Sequence, residues 1–273
     1  MQHQIKKYPV QNPILRNYIK FFWEIDAENM NIHHQLIPVR NVDLKFNLSE
    51  TPHYAVTNSS YNLLDTVYFR GLQDKFTKTQ LTLNGKVHVL GICFLPFGMY
   101  PFLKFPISEV RNQLLGANEV GFKEASIIRE KLMSATGVSE RLKILEKELS
   151  AILDSKITIP KNFDVIFGSL KEISNINQLT NFCNHHNINI RKLERYFNKY
   201  VGISPKSYAS LSRFQNGLNQ IIHNDYNKLS DIAYNFGYFD QMHFIKEFKR
   251  FSGNTPKKFA SRNDSMLHVG KFY

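Results

Sequence analysis

The stretch that decides the architecture reads Ile232-Ala233-Tyr234-Asn235-Phe236-Gly237-Tyr238-Phe239-Asp240-Gln241-Met242-His243-Phe244-Ile245-Lys246-Glu247-Phe248-Lys249-Arg250-Phe251-Ser252-Gly253-Asn254-Thr255-Pro256. Its punctuation is helical. Ala233 is small enough to let two helices cross closely, and Gly237, four positions on, can take the left-handed conformation of a tight turn. Asp240 can cap the helix that follows. Phe244 and Phe248 fall on one face of that helix. Gly253 can end it with a positive φ, and Thr255-Pro256 supplies the cap and first position of another.

The same pattern occurs 51 residues earlier: Phe197, Gly202 and Ser204-Pro205 match Phe248, Gly253 and Thr255-Pro256. Leu193 matches Phe244, and Asn189 matches Asp240. Cys183 and Asn187 match Ala233 and Gly237 at an offset of 50. One such copy would describe any well-capped helical bundle. Two in register describe a repeated unit of helix, short turn and capped helix, the helix-turn-helix.

What the second helices expose gives the repeat a chemistry. Opposite Leu193 and Phe197 lie Arg191, Glu194, Arg195 and Asn198, whose counterparts are Met242, Ile245, Lys246 and Lys249. Cationic and hydrogen-bonding groups can read base edges or hold phosphates, and apolar groups can contact thymine methyls. A solvated charged face is the competing reading for Arg191 and Arg195, and burial in an extended core is that for Met242 and Ile245. Charge leans towards a polyanionic partner: the 273 residues carry 35 Lys and Arg against 23 Asp and Glu, for a net +12. Residues 161–264 alone hold 15 basic against 8 acidic side chains.

Other classes recede. With 42% hydrophobic residues the chain has material for real cores. No apolar run approaches the ~20 residues of a membrane span, and Met1–Lys7 lacks a signal-peptide stretch, so a cytoplasmic protein without a membrane partner is expected. Cys93 and Cys183 provide neither a disulfide scaffold nor a cysteine-rich zinc site.

The first hundred residues read as β. Tyr18–Ile25, Val42–Leu48, Thr66–Arg70 and Val87–Leu95 are rich in β-branched and aromatic residues, and Asn84-Gly85 predicts a hairpin between Leu81-Thr82-Leu83 and Val87-His88-Val89. A sandwich or small barrel is expected. From about Ser108 the pattern turns helical: Ile127, Ile128 and Leu132, then Leu142, Leu145, Leu149 and Ile152, recur at three or four residues. That second stripe either pairs with another copy or packs on its own domain. Ile157–Asn162, around Pro160, reads as the domain boundary. His33, His34, His53 and His88 form no His-x-His pair, and neither a nucleophile elbow nor a phosphate-binding glycine loop occurs. Cys93 sits in an apolar strand as core. No catalytic residue, metal or cofactor is expected.

At 176–262 the chain resembles the AraC/XylS family of bacterial transcription regulators, most specifically over the stretch quoted at the outset. The resemblance implies two helix-turn-helix subdomains joined by a long helix, about 205–223, with Arg213 at the family's linker arginine and Gly217 where a small alanine is usual. Asn187 replaces the usual glycine of the first turn, and Met242 and Ile245 stand where small polar residues are common. Carried over residue by residue, base readout falls to Arg191, Glu194, Arg195, Gln241, Met242 and Lys246, and phosphate contact to Lys199, Lys249 and Arg250. Asn187, Asn189, Gly202, Gly237, Asp240 and Gly253 serve as caps and turns. Ile37–Asn47 and Gly91–Gly98 are similar to an uncharacterised β-rich domain found ahead of AraC-type DNA-binding domains, which implies a cupin-like alternative for this half.

The expected protein therefore has two domains. Residues 1–157 form an α+β domain, a β-sandwich or cupin-like barrel followed by helices. Residues 161–262 form an all-α domain with helix-turn-helix units at 176–200 and 228–251, and 263–273 is a tail. Its expected role is sequence-specific regulation on double-stranded DNA, with a small-molecule effector or homodimer contact in the first domain and RNA polymerase as a partner if it activates. A cupin-like enzyme with a helical appendage and a non-specific architectural binder are the alternatives.

Overall fold

The computed structural model describes residues 5–103, 105–153, 166 and 176–261. The expected boundary around Pro160 and the 263–273 tail lie outside them. Strands β1 (Lys6–Tyr8), β2 (Ile19–Gln35), β3 (Val42–Asn47), β4 (His53–Thr57), β5 (Ser60–Leu63), β6 (Val67–Arg70), β7 (Gln80–Phe94) and β8 (Leu114–Gly116) make one sheet. Its order is β1-β2-β7-β3-β6-β8, with β4 on the first half of β7 and β5 on β4, and every pairing is antiparallel.

Residues directly opposite one another share a face. Phe22, Ile92, Leu44 and Phe69 form one such row, and Trp23, Gly91, Lys45 and Tyr68 form the next, facing the other way. Both faces are covered, since every residue from Val42 to Asn47 is buried. The first row joins the large core that continues into the helices; Trp23 and Tyr68 belong to a second apolar cluster with Leu81, Leu83 and Cys93.

The expected hairpin at Asn84-Gly85 is not formed. β7 runs through it unbroken, and Gly85, with φ 83°, bends the strand near a register shift of β2 between Ala27 and Met30. The 17-residue β2 pairs along both halves of β7 and supplies the ladder bonds that a hairpin would have made internally. The bend brings β4 across the sheet, so that His53 Nδ1 lies 3.2 Å from Tyr68 Oη on β6. The two-residue hairpin is instead at Asn58-Ser59, with φ values of 49° and 68°, between β4 and β5.

Nor is the chain helical from 108. After α1 (Tyr100–Leu103) and a 3-10 turn at Ile107–Val110, β8 returns to the sheet beside β6. Three residues on an edge strand are too few to show an alternating pattern. The longer helices α2 (Ala125–Ser134) and α3 (Val138–Ile152) follow, and Leu145 and Leu149 of α3 are fully buried within the chain's own core.

The C-terminal region is helical: α4 (Ile176–His185), α5 (Ile190–Tyr200), α6 (Pro205–His223), α7 (Leu229–Asn235), α8 (Gln241–Ser252) and α9 (Pro256–Ala260). Phe214 of α6 packs against Phe248 and Phe251 of α8 with ring centroids 5.3 and 4.9 Å apart. Each fully buried phenyl ring contributes about 1.5–3 kcal/mol. A methyl group on Gly217 would meet the Phe244 ring at 3.0 Å, so α6 and α8 touch there at the limit of close packing.

Candidate nucleic-acid interface

The two turns repeat atom for atom. Asn187 takes φ 51°, and the Ile188 N–H donates to the Cys183 carbonyl at 2.8 Å. Gly237 takes φ 68°, and the Tyr238 N–H donates to the Ala233 carbonyl at 2.9 Å. Both turns then hand over to a capped helix. Asn189 Oδ1 accepts from the Arg191 and Lys192 amides at 2.9 and 3.3 Å, and Asp240 Oδ1 accepts from the His243 amide at 2.7 Å. These side chains satisfy amide donors that a helix start leaves without partners. At the far ends Gly202 and Gly253 have φ 89° and 75°, and their amides donate to the Phe197 and Lys249 carbonyls.

Helices α5 and α8 turn matching faces inward. Leu193, Phe197 and Tyr200 are buried on the first, and Phe244, Phe248 and Phe251 on the second. The opposite faces are open: Arg191, Glu194, Arg195 and Asn198 are exposed, as are Gln241, Met242, Lys246, Lys249 and Arg250. Met242 is 58% exposed, which removes core burial as its role, whereas Ile245 is half-buried and packs against the core. Two further apolar side chains stand out on the second unit, Tyr234 at 87% and Phe239 at 91% exposure, just before α8. Sequence reasoning passed over both because aromatic residues ordinarily signal core.

Lys199 is placed differently from the other cations. Its ammonium lies 5.2 Å from the Tyr100 ring centre and 5.1 Å from that of Tyr200, bridging the β-rich half to the end of α5. The Tyr100 hydroxyl, as a hydrogen-bond partner, pushes its pKa up.

Glu247 is a second residue that sequence reasoning missed. It is buried on α8, 3.2 Å from the Arg213 guanidinium of α6 and 3.8 Å from Arg250 and His243. Arg213 also lies over the Tyr238 ring at 5.2 Å, so one side chain ties the linker helix to the second turn and to α8. The only signal in the sequence was Arg213 itself, 34 residues from its partner.

In the β-rich half, no group of three or more His, Cys, Asp and Glu that could hold a metal occurs among the described residues. No helix among the described residues is long and apolar enough to cross a membrane.

Residues 182–262 match the helix-turn-helix domain family, and residues 11–116 match a domain of unknown function, DUF6597. No curated protein matches the chain. Among solved structures, the chain is similar to ToxT from Vibrio cholerae O395, at 13% identity over 88% of this chain and 96% of that one, with a TM-score of 0.45. It is also similar to the same protein bound to (E)-4-(8-methylnaphthalen-1-yl)but-3-enoic acid, at 13% identity, 96% and 99% coverage and a TM-score of 0.46. A third, unsaturated fatty acid bound wild-type ToxT from Vibrio cholerae strain SCE256, aligns at 11% identity over 88% and 94%, with a TM-score of 0.43. With its duplicated, capped turns at 176–252, the chain carries an AraC-type helix-turn-helix domain behind a DUF6597 domain, the architecture of a DNA-binding transcription regulator.

Proposed function

We propose that the protein regulates transcription by laying α5 and α8 into successive major-groove segments of one DNA site. The observation that carries this reading is the pair of equivalent capped helices with solvent-facing polar sides. Arg191, Glu194 and Arg195 then face bases in one segment, and Gln241, Met242 and Lys246 face bases in the next. Lys249 and Arg250, in the last turn of α8, reach phosphates, whereas the Lys199 ammonium is engaged by Tyr100 and Tyr200. The two faces differ in chemistry, one cationic and carboxylate-bearing, the other amide, thioether and ammonium, which favours sequence choice over uniform backbone binding.

The division of labour runs 1–157 for sensing and 161–262 for DNA. The bent sheet, whose inner strands β3 and β6 are buried on both faces, suits a domain that encloses a small molecule. Self-association and an RNA polymerase contact remain part of the proposal without a dedicated surface, since Leu145 and Leu149 are spent on the chain's own core.

The test uses the full chain. Duplexes enriched from a random pool should bind on the order of 10³-fold more tightly than shuffled duplexes at physiological salt. Equal affinity within about twofold would leave a non-specific binder in its place.

A further inference from the structure

The two helix-turn-helix units differ by one residue, and the difference sits in the turn. Cys183, Asn187 and Ile188 pair with Ala233, Gly237 and Tyr238 at an offset of 50, whereas Asn189, Leu193 and Phe197 pair with Asp240, Phe244 and Phe248 at 51. Between the left-handed residue and the helix cap the first turn holds Ile188 alone; the second holds Tyr238 and Phe239. Ile188 and Tyr238 play the same part. Each donates its amide back across the turn, and each packs its side chain on the core. The Tyr238 ring meets that of Phe244, the fourth residue of α8, edge to face with centroids 5.2 Å apart. That is the apolar clasp which the residue just before a cap ordinarily makes. Phe239 stands in that place with the clasp already made, and its side chain is 91% exposed.

Exposed as it is, Phe239 is held firmly. Its amide donates to His243 Nδ1 at 3.3 Å, while the His243 amide donates to Asp240 Oδ1 at 2.7 Å, so two reciprocal bonds fix the chain on either side of the cap. Met242, also exposed, follows in the first turn of α8. Together the two residues give the leading end of α8 an apolar tip, and that end of a second helix is the one that meets base edges when a helix-turn-helix docks. The surrounding charge favours nucleic acid over a protein partner. Lys246 and Lys249 are exposed along α8, its one acid, Glu247, is buried against Arg213, and Asp240 is committed to the cap. An apolar tip beside exposed cations fits a polyanion that carries methyl groups, which describes a major groove containing thymine.

We propose that Phe239 is a further base-reading residue, which with Met242 packs on the 5-methyl groups of thymine in the DNA segment under α8. This rests on the regulator reading and adds to it a residue and a base. The first unit has no counterpart: its turn holds no surplus residue, and Arg191 stands where α8 carries Met242. One segment is then read by charged side chains and the other partly by apolar ones, so the site is asymmetric in chemistry although the protein unit is repeated. Because the cap bonds fix the backbone that carries the ring, little ordering is lost when it meets DNA.

Uracil in place of thymine tests the contact without disturbing base pairing, since it lacks only the methyl group. Full-length protein is titrated, with anisotropy as the readout, against the enriched duplex and against versions in which each thymine in turn is replaced by uracil. At one or more positions the parent should lose about fourfold in affinity, the worth of one buried methyl group. Phe239→Ala should bind the thymine duplex at least about fourfold more weakly and show no further loss with uracil at the same position. Phe239→Leu should keep much of both the affinity and the uracil penalty. Thermal melts of both variants should match the parent, because the ring faces solvent. Indifference of the parent to every uracil, or a uracil penalty undiminished in folded Phe239→Ala, overturns the methyl contact. Unchanged affinity of Phe239→Ala for the enriched duplex also overturns it, and leaves the tip to a protein partner. A parent that binds no duplex better than its shuffled form fails the regulator reading itself, whereas one that binds selectively and ignores the methyl groups fails this proposal alone.

Discussion

Arg195 and Lys246 occupy equivalent positions in the two units, both exposed, and differ in what their head groups can read. A guanidinium can bond guanine O6 and N7 together, whereas an ammonium is a flexible point charge. Arg195→Ala should therefore cost about 1–3 kcal/mol on the enriched duplex and relax discrimination at one base position. Lys246→Ala should cost less and act more evenly across sequences. Neither should shift the thermal melt, because the buried faces of α5 and α8 are Leu193 with Phe197 and Phe244 with Phe248. Fluorescence anisotropy on matched and single-mismatch duplexes reads both effects. An Arg195→Ala protein that binds every duplex as the parent does would take base readout away from this face of α5.

At the scale of elements, α8 is held in place by charge as much as by rings. Glu247 and Arg213 are both buried, and removing one partner of such a pair leaves the other charge uncompensated, at about 3–5 kcal/mol. Glu247→Ala should lower stability by that order in a denaturant titration and weaken DNA binding through a loosened α8. The double change Glu247→Leu with Arg213→Leu should recover much of the loss, since no lone charge remains. That tie spans α6 and α8 and left no local trace in the sequence. The turns did leave one: a left-handed residue, a capping side chain and a helix-ending glycine act within a few residues, so Asn187, Asn189, Gly237 and Asp240 are readable in order along the chain. Asn84-Gly85 carries an equally local signal and misleads, because β2 decides from some fifty residues away that the strand continues. Val42-Asp43-Leu44-Lys45-Phe46-Asn47 alternates as a half-wet strand should, yet both faces are buried. The bend at Gly85 carries β4 over this face and sets His53 against Tyr68, the cross-strand neighbour of Lys45, and that is a tertiary event. The exposed faces of α5 and α8 were legible for the opposite reason, following from helical spacing alone once the core positions were set.

For the whole molecule, the decisive fact is that the core does not stop between the halves. Ile107 and Val110 of the β-rich domain belong to the same apolar cluster as Tyr200 and Ile203, and the Tyr100 and Tyr200 rings meet edge to face with centroids 4.7 Å apart. Lys199 sits over both rings, so its charge has two competing uses, bridging the halves or neutralising a phosphate. Salt separates them. Each phosphate contact contributes about 0.9 to the slope of log K against log salt. Lys249→Ala, an exposed cation in the last turn of α8, should lower that slope by about one contact and leave the melt unchanged. Lys199→Ala should leave the slope where it is and lower the melting temperature, because what it loses is an exposed cation–π bridge of about 0.5–1 kcal/mol between the two halves. If the slope falls equally in both variants, the ammonium of Lys199 leaves the tyrosines when DNA arrives. The bridge would then be a feature of the free protein alone, and DNA binding would be coupled to loosening of the contact between its halves.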